Sequence, residues 1–151
     1  MEDKLLEKIN YDLCIYGDVT AESQKHRFMI IKTLAKIPED TREKVLERTI
    51  FIIACKGVFG YPFDMRIIEP QTLHLILLNF GELEGKPEPV ILSTIAHETA
   101  HSLLGHGHLS GNSKAEIEAD DLIEKWGFER AYKDYSTFRE FERKSLVCIS
   151  D

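Results

Sequence analysis

At 151 residues, with 43% hydrophobic and 30% charged content, the chain has the make-up of one soluble globular domain, 1–151, with enough apolar residues for a single core. A formal charge of −7 argues against nucleic acid, because phosphate binding needs a basic surface. The longest apolar runs, 50–55 and 75–78, are far too short to cross a bilayer, and Met1-Glu2-Asp3-Lys4 lacks the basic start and apolar core of a signal peptide. Cys14, Cys55 and Cys148 form no CxxC pair; as scattered free thiols they point to a reducing, cytoplasmic location.

The first half reads mostly as helix. Leu5, Leu6 and Ile9 give a short apolar stripe. Thr20 or Ser23 can cap a helix running to about Ile37, with Phe28, Ile31, Leu34 and Ala35 at helical spacing. Pro38-Glu39-Asp40 is a stop and restart, and Thr41 to Arg48 continues as helix with Val45 and Leu46 inward. The β-branched and aromatic run Ile50 to Ala54 predicts a strand.

Gly57, Gly60, Pro62 and Pro70 break the middle into short pieces, with Met65 to Glu69 as a possible strand. Thr72 to Phe80 is a clearer strand, apolar on both faces, as suits a covered sheet. Gly81 to Pro89 is a turn-rich acidic loop. Pro87 and Pro89 lead into a helix that Gly105 ends. His106 to Ser113 is a polar connector, and Lys114 to Trp126 is a helix closed by Gly127. Arg130 to Leu146 is amphipathic, and its aromatics Tyr132, Tyr135, Phe138 and Phe141 are expected to pack on the core.

The chemistry sits in His97-Glu98-Thr99-Ala100-His101, an HExxH motif. Two histidines four apart lie on one helical face, where both imidazoles can bind a single Zn²⁺. The glutamate between them can take a proton from the water that such a metal activates. A surface helix could carry these letters by chance. Against that, Val90, Ile91, Leu92, Ile95, Ala96, Leu103 and Leu104 make this helix largely buried, and buried histidines need polar partners. Leu92, Ile95, Ala96, Thr99 and Leu103 form one face; His97 and His101 lie opposite, with Thr94.

A catalytic zinc takes three protein ligands and keeps an open position. The metzincin pattern needs glycine three residues and histidine six residues after His101; those positions hold Leu104 and Gly107. His106 and His108 miss the slot and read as solvated loop histidines. The alternative is a carboxylate from the next helix. There Ala115, Ala119, Leu122, Ile123 and Trp126 form the apolar stripe, with Glu116 on one edge and Glu118 on the other, and periodicity does not choose between them. Asp120, one turn beyond Glu116, could orient a ligating histidine, and Ala119 is small enough for close helix approach; both favour Glu116. The opposing possibility is that Glu116, Glu118, Asp120 and Asp121 are a solvated acidic face.

HExxH followed by E-x-x-A-D, carried by His97, Glu98, His101, Glu116, Ala119 and Asp120, resembles the gluzincin metallopeptidases over roughly 73–127. The likeness is to the catalytic cores of the CaaX prenyl protease and related heat-shock membrane proteases, to the small soluble minigluzincins, and to bacterial phage-repressor-cleaving and radiation-response peptidases. Ala100 departs from the glycine that those families often place before the second histidine.

The resemblance implies an α+β, zincin-like fold: a small mixed sheet with a backing helix, an HExxH helix and a glutamate helix, here after a helical N-terminal half. It implies Glu116 as third ligand beside His97 and His101, Zn²⁺ as cofactor, and Glu98 as general base in peptide-bond hydrolysis. It implies a peptide or unfolded protein as substrate, taken as an added strand on the sheet edge at 73–80. The oxyanion donor is open among His106, His108, Tyr132 and Tyr135. A different function for the same fold and metal is a non-proteolytic regulatory or partner-binding module. Residues 144–151, apolar and β-branched, are a candidate blocking segment, with Cys148 or Asp151 able to reach the metal.

Overall fold

In the computed structural model the described residues are 2–16, 21–54, 74–106 and 113–135. The Met65 to Glu69 strand, Cys55, Cys148, His108, Phe138, Phe141 and the segment 144–151 lie outside them. The fold is mixed α and β, mostly helical, with a three-stranded sheet. The chain divides into two compact units, Met1–Pro87 and Glu88–Asp151. Among the described residues, no helix is long and apolar enough to cross a membrane.

The first unit runs α1 (Glu2–Asp12), β1 (Cys14–Tyr16), α2 (Ala21–Lys36), α3 (Glu39–Arg48), β2 (Thr49–Ala54), β3 (His74–Asn79) and α4 (Phe80–Leu83). The sheet order is β1-β2-β3, and both described pairings are parallel, where a mixed sheet was expected. Ile50 faces Cys14 on one side and Leu75 on the other. Strand β1 has no counterpart in the sequence reading: three residues are too few to display a two-residue period. The helical turn α4 replaces the start of the expected loop; Asn79 caps it by accepting from the Gly81 N–H at 3.1 Å.

The core of this unit is built from Ile9, Leu13, Ile30, Ile31, Leu34, Ile37, Val45, Phe51, Ile53, Ile76, Leu78 and Phe80. Phe28, expected inward, is exposed, because the buried stripe of α2 runs through Ile30, Ile31 and Leu34; the Lys32 ammonium lies 5.3 Å from its ring centroid. Pro38 joins α2 to α3, its carbonyl accepting from the Thr41 and Arg42 amides. The buried Arg42 guanidinium donates to the Ile37 carbonyl at 3.1 Å, satisfying backbone that α2 leaves open at its end. Strand β3 is an outer strand among the described residues. It buries Ile76 and Leu78 and exposes Leu75 and Leu77, so the apolar pattern on its second face does not mark a covered sheet.

The second unit contains α5 (Glu88–Leu104) and α6 (Ser113–Lys125), packed against each other. Both end as their sequences predict. Gly105, at φ 72°, gives its N–H to the Ser102 carbonyl while the His106 N–H reaches back to the His101 carbonyl. Gly127, at φ 85°, does the same with Glu124, and the Phe128 N–H with Ile123. These are two Schellman closures, each needing a left-handed residue that glycine supplies without a Cβ penalty. Residues 130–135 are irregular.

Candidate metal centre

Helix α5 is buried along a broad face, while Val90 and Leu104 near its ends, expected to be covered, are exposed. Leu92, Ile95, Ala96 and Ala100 are covered, and so are Ser93, His97 and Thr99. The hydroxyl of Thr99 donates back to the Ile95 carbonyl at 2.7 Å, which lets a polar residue sit on an inward face. Small residues at Ala96 and Ala100 on α5 and at Ala115 and Ala119 on α6 are all buried. Small side chains at a helix contact permit close approach of the two axes.

On α6 the buried residues are Ala115, Glu116, Ala119, Asp120 and Ile123, while Leu122 and Trp126 are half-buried. The inward stripe is therefore rotated from the expected one toward the Glu116 edge. Glu116 is 4% exposed and Asp120 fully buried, whereas the side chain of Glu118 is 44% exposed. The acidic cluster is not a uniform solvated face: Glu116 and Asp120 point inward, and Asp121 and Glu118 stay near the surface.

Glu116, His97 and His101 come together. Glu116 Oε2 lies 3.0 Å from His97 Nε2 and 3.2 Å from His101 Nε2, and the two Nε2 atoms are 2.9 Å apart. This buried group could hold a metal ion. Three electron-pair donors this close repel one another unless a proton or cation lies among them. Metal–ligand bonds of about 2.0–2.2 Å in tetrahedral geometry set ligand atoms roughly 3.3 Å apart, close to the spacing found. Burial, then the neighbouring His97, push the His101 imidazole below its ordinary value against the pull of Glu116, so it keeps a lone pair at neutral pH.

His97 is oriented from behind. Its Nδ1 lies 2.7 Å from Asp120 Oδ1, so the ring donates that proton and presents Nε2 as a lone pair. Asp120 is the hub of the unit: Oδ1 also accepts from the Ala131 N–H at 3.0 Å, and Oδ2 from the Tyr132 N–H at 3.2 Å and the Tyr135 hydroxyl at 2.5 Å. Burial pushes its carboxyl up, but the bonds from Tyr135, the two amides and His97 outweigh that and hold it below the ordinary value. Arg130 locks the outer end by donating to the Tyr135 oxygen at 3.1 Å, to Glu124 at 2.8 Å and to Asp121.

Glu98, between the two histidines, takes no part in the converging group. Burial raises its carboxyl above the ordinary value, partly offset by His97 and reinforced by Glu116. Tyr132 sets its ring edge-on to His97, with centroids 5.2 Å apart. Burial and the negative charges of Glu116, Glu98 and Asp120 raise its hydroxyl to about 12, so it remains an O–H donor.

Three features escaped the sequence reading. His106 is not a solvated loop residue: it is buried, with Nδ1 3.1 Å from His101 Nδ1. The signal was Gly105, since a left-handed residue there returns the next residue to the helix end. Tyr135 serves Asp120 and not general core packing. The amides of Ala131 and Tyr132, which help hold Asp120 ionised, leave no mark in side-chain letters. No family model, curated protein or solved structure matches this chain, so its likeness to gluzincins rests on the motif residues alone.

Proposed function

We propose that this chain is a zinc-dependent peptidase that hydrolyses peptide bonds in unfolded or short substrates. The observation that carries the reading is the convergence of His97, His101 and Glu116 on one point, beside a Glu98 left out of the ligand group. Two imidazoles and one carboxylate are a donor set that suits zinc. His97, His101 and Glu116 would hold the Zn²⁺, which when bound would supply Lewis acidity and lower the pKa of a water toward neutrality.

The chain's own residues supply the rest. Glu98 accepts the proton of the attacking water and returns it to the leaving amine; its raised pKa brings it nearer the working pH, as proton transfer in both directions requires. Tyr132, a neutral phenol beside His97, is the donor we assign to the developing oxyanion. Asp120 keeps the His97 Nε2 lone pair turned toward the ligand point. The packing of the HExxH helix against the helix that carries Glu116 supports this reading.

The test is cleavage of labelled, unfolded casein by zinc-loaded protein and by Glu98→Gln. The variant should keep about one Zn²⁺ per chain and lose cleavage by several orders of magnitude, because base and water act as a unit. Undiminished cleavage by Glu98→Gln refutes the mechanism. Zinc-loaded wild-type protein that leaves casein uncut counts against the peptidase reading and for the alternative of a non-proteolytic partner-binding module.

A further inference from the structure

The proposed chemistry makes no use of the buried His106 or of Glu118, which stand in line behind His101. Nδ1 of His101 lies 3.1 Å from Nδ1 of His106, and Nε2 of His106 lies 3.2 Å from Glu118 Oε2. His106 is 8% exposed; Glu118 reaches the surface, where its other oxygen is 3.7 Å from the Lys114 ammonium. The Schellman closure of α5 builds this arrangement. With Gly105 at φ 72° and the His106 N–H bonded to the His101 carbonyl at 2.9 Å, the chain folds His106 back onto the histidine one turn earlier.

The order of protons along the chain follows from donor and acceptor rules. An ionised carboxylate only accepts, so the His106 Nε2 facing Glu118 carries hydrogen. With one proton on each ring, His106 Nδ1 is then a lone pair. His101 Nδ1 must be the donor across the 3.1 Å contact, since two facing lone pairs would repel. That leaves His101 Nε2 as a lone pair, and Nε2 is the atom that faces His97 and Glu116.

We infer that His106 and Glu118 are positioning residues for the metal site, fixing the tautomer and ring plane of His101. The inference rests on the metal-site reading and extends it. His97 is held by a carboxylate directly, through Asp120; His101 is held by an imidazole backed by a carboxylate. Outer partners of this kind set metal affinity by about 10–100-fold.

The experiment measures Zn²⁺ affinity of the full-length chain by competition with a chromophoric chelator. His106→Leu, which removes the acceptor, weakens binding about 10–100-fold while one Zn²⁺ still binds per chain at saturation. His106→Asn, whose side-chain oxygen can stand near the Nδ1 position, recovers most of the loss. Long-range ¹H–¹⁵N correlation of zinc-loaded protein gives the second readout: His106 as the Nε2–H tautomer, and a slowly exchanging Nδ1–H on His101 that exchanges fast in His106→Leu. Should the leucine variant fail to fold, the asparagine variant and the wild-type tautomer decide. Equal affinity of His106→Leu and wild type overturns the inference, as does an asparagine variant no tighter than leucine, or His106 found as the Nδ1–H tautomer. A wild-type chain that binds no Zn²⁺ overturns the metal site itself, and the positioning role with it.

Discussion

Asp120→Asn is the sharpest single perturbation of this molecule, because it keeps shape and removes only charge and acceptor capacity. Four donors enter the carboxylate: His97 Nδ1–H and the Ala131 N–H at one oxygen, the Tyr132 N–H and the Tyr135 O–H at the other. An asparagine that keeps its oxygen toward His97 turns its NH₂ onto the Tyr132 N–H, donor against donor. Tyr135 can rotate and accept, but the amide cannot. The stranded amide costs about 1–3 kcal/mol. Weakening two charge-assisted bonds to neutral ones adds roughly 1 kcal/mol, for a total loss of about 2–4 kcal/mol. Losing the carboxylate charge behind His97 lowers zinc affinity about 10–100-fold even when the tautomer is kept, and the opposite amide orientation, which would force hydrogen onto His97 Nε2, lowers it further.

Trp126, the chain's one tryptophan, follows α6 in the same unit, so its fluorescence during urea unfolding reads this unit directly. Asp120 also adds an acid limb. Its folded pKa lies below the ordinary 3.8, so its stabilisation is complete above that value and is lost as pH falls through the depressed one. Asp120→Asn flattens this limb. A stability loss below about 0.5 kcal/mol together with unchanged zinc affinity would refute the hub.

Two further outcomes follow from the geometry. Metal analysis at saturating zinc should find Glu116→Ala without zinc and Glu118→Ala still holding about one ion per chain; the reverse result would move the third ligand to Glu118. Gly127→Ala should destabilise the second unit by about 1–2 kcal/mol through backbone conformation alone, since an added Cβ there meets nothing within 4 Å; an unchanged urea midpoint would show that this helix end does not rely on its left-handed residue.

Several elements were legible because their signals are local. Gly105 and Gly127 marked the ends of α5 and α6, since a left-handed residue is cheap only for glycine. Ile50 to Ala54 reads as strand from β-branching and is the central strand of the described sheet. Strand β1, at Cys14–Tyr16, was hidden because its pairing partner, Thr49–Ala54, lies far along the chain and its own three residues show no period. The exposed Phe28 went the other way: helical spacing places it near the buried stripe, and only packing shows that the stripe turns past it.

The sequence by itself determined the pairing of His97 with His101 and the separation of Glu98 from them, because a 3.6-residue helix puts positions four apart on one face. It also bounded the carboxylate that could join the two histidines to the two edges of the α6 stripe. The choice between those edges belonged to tertiary structure. Rotating α6 about its own axis exchanges Glu116 for Glu118 at the histidines, and the packing of Ala115 and Ala119, the four bonds to Asp120 and the anchoring by Arg130 fix that rotation. The same packing decided that His106 is buried against His101, a contact made by a backbone reversal and visible in no side-chain period.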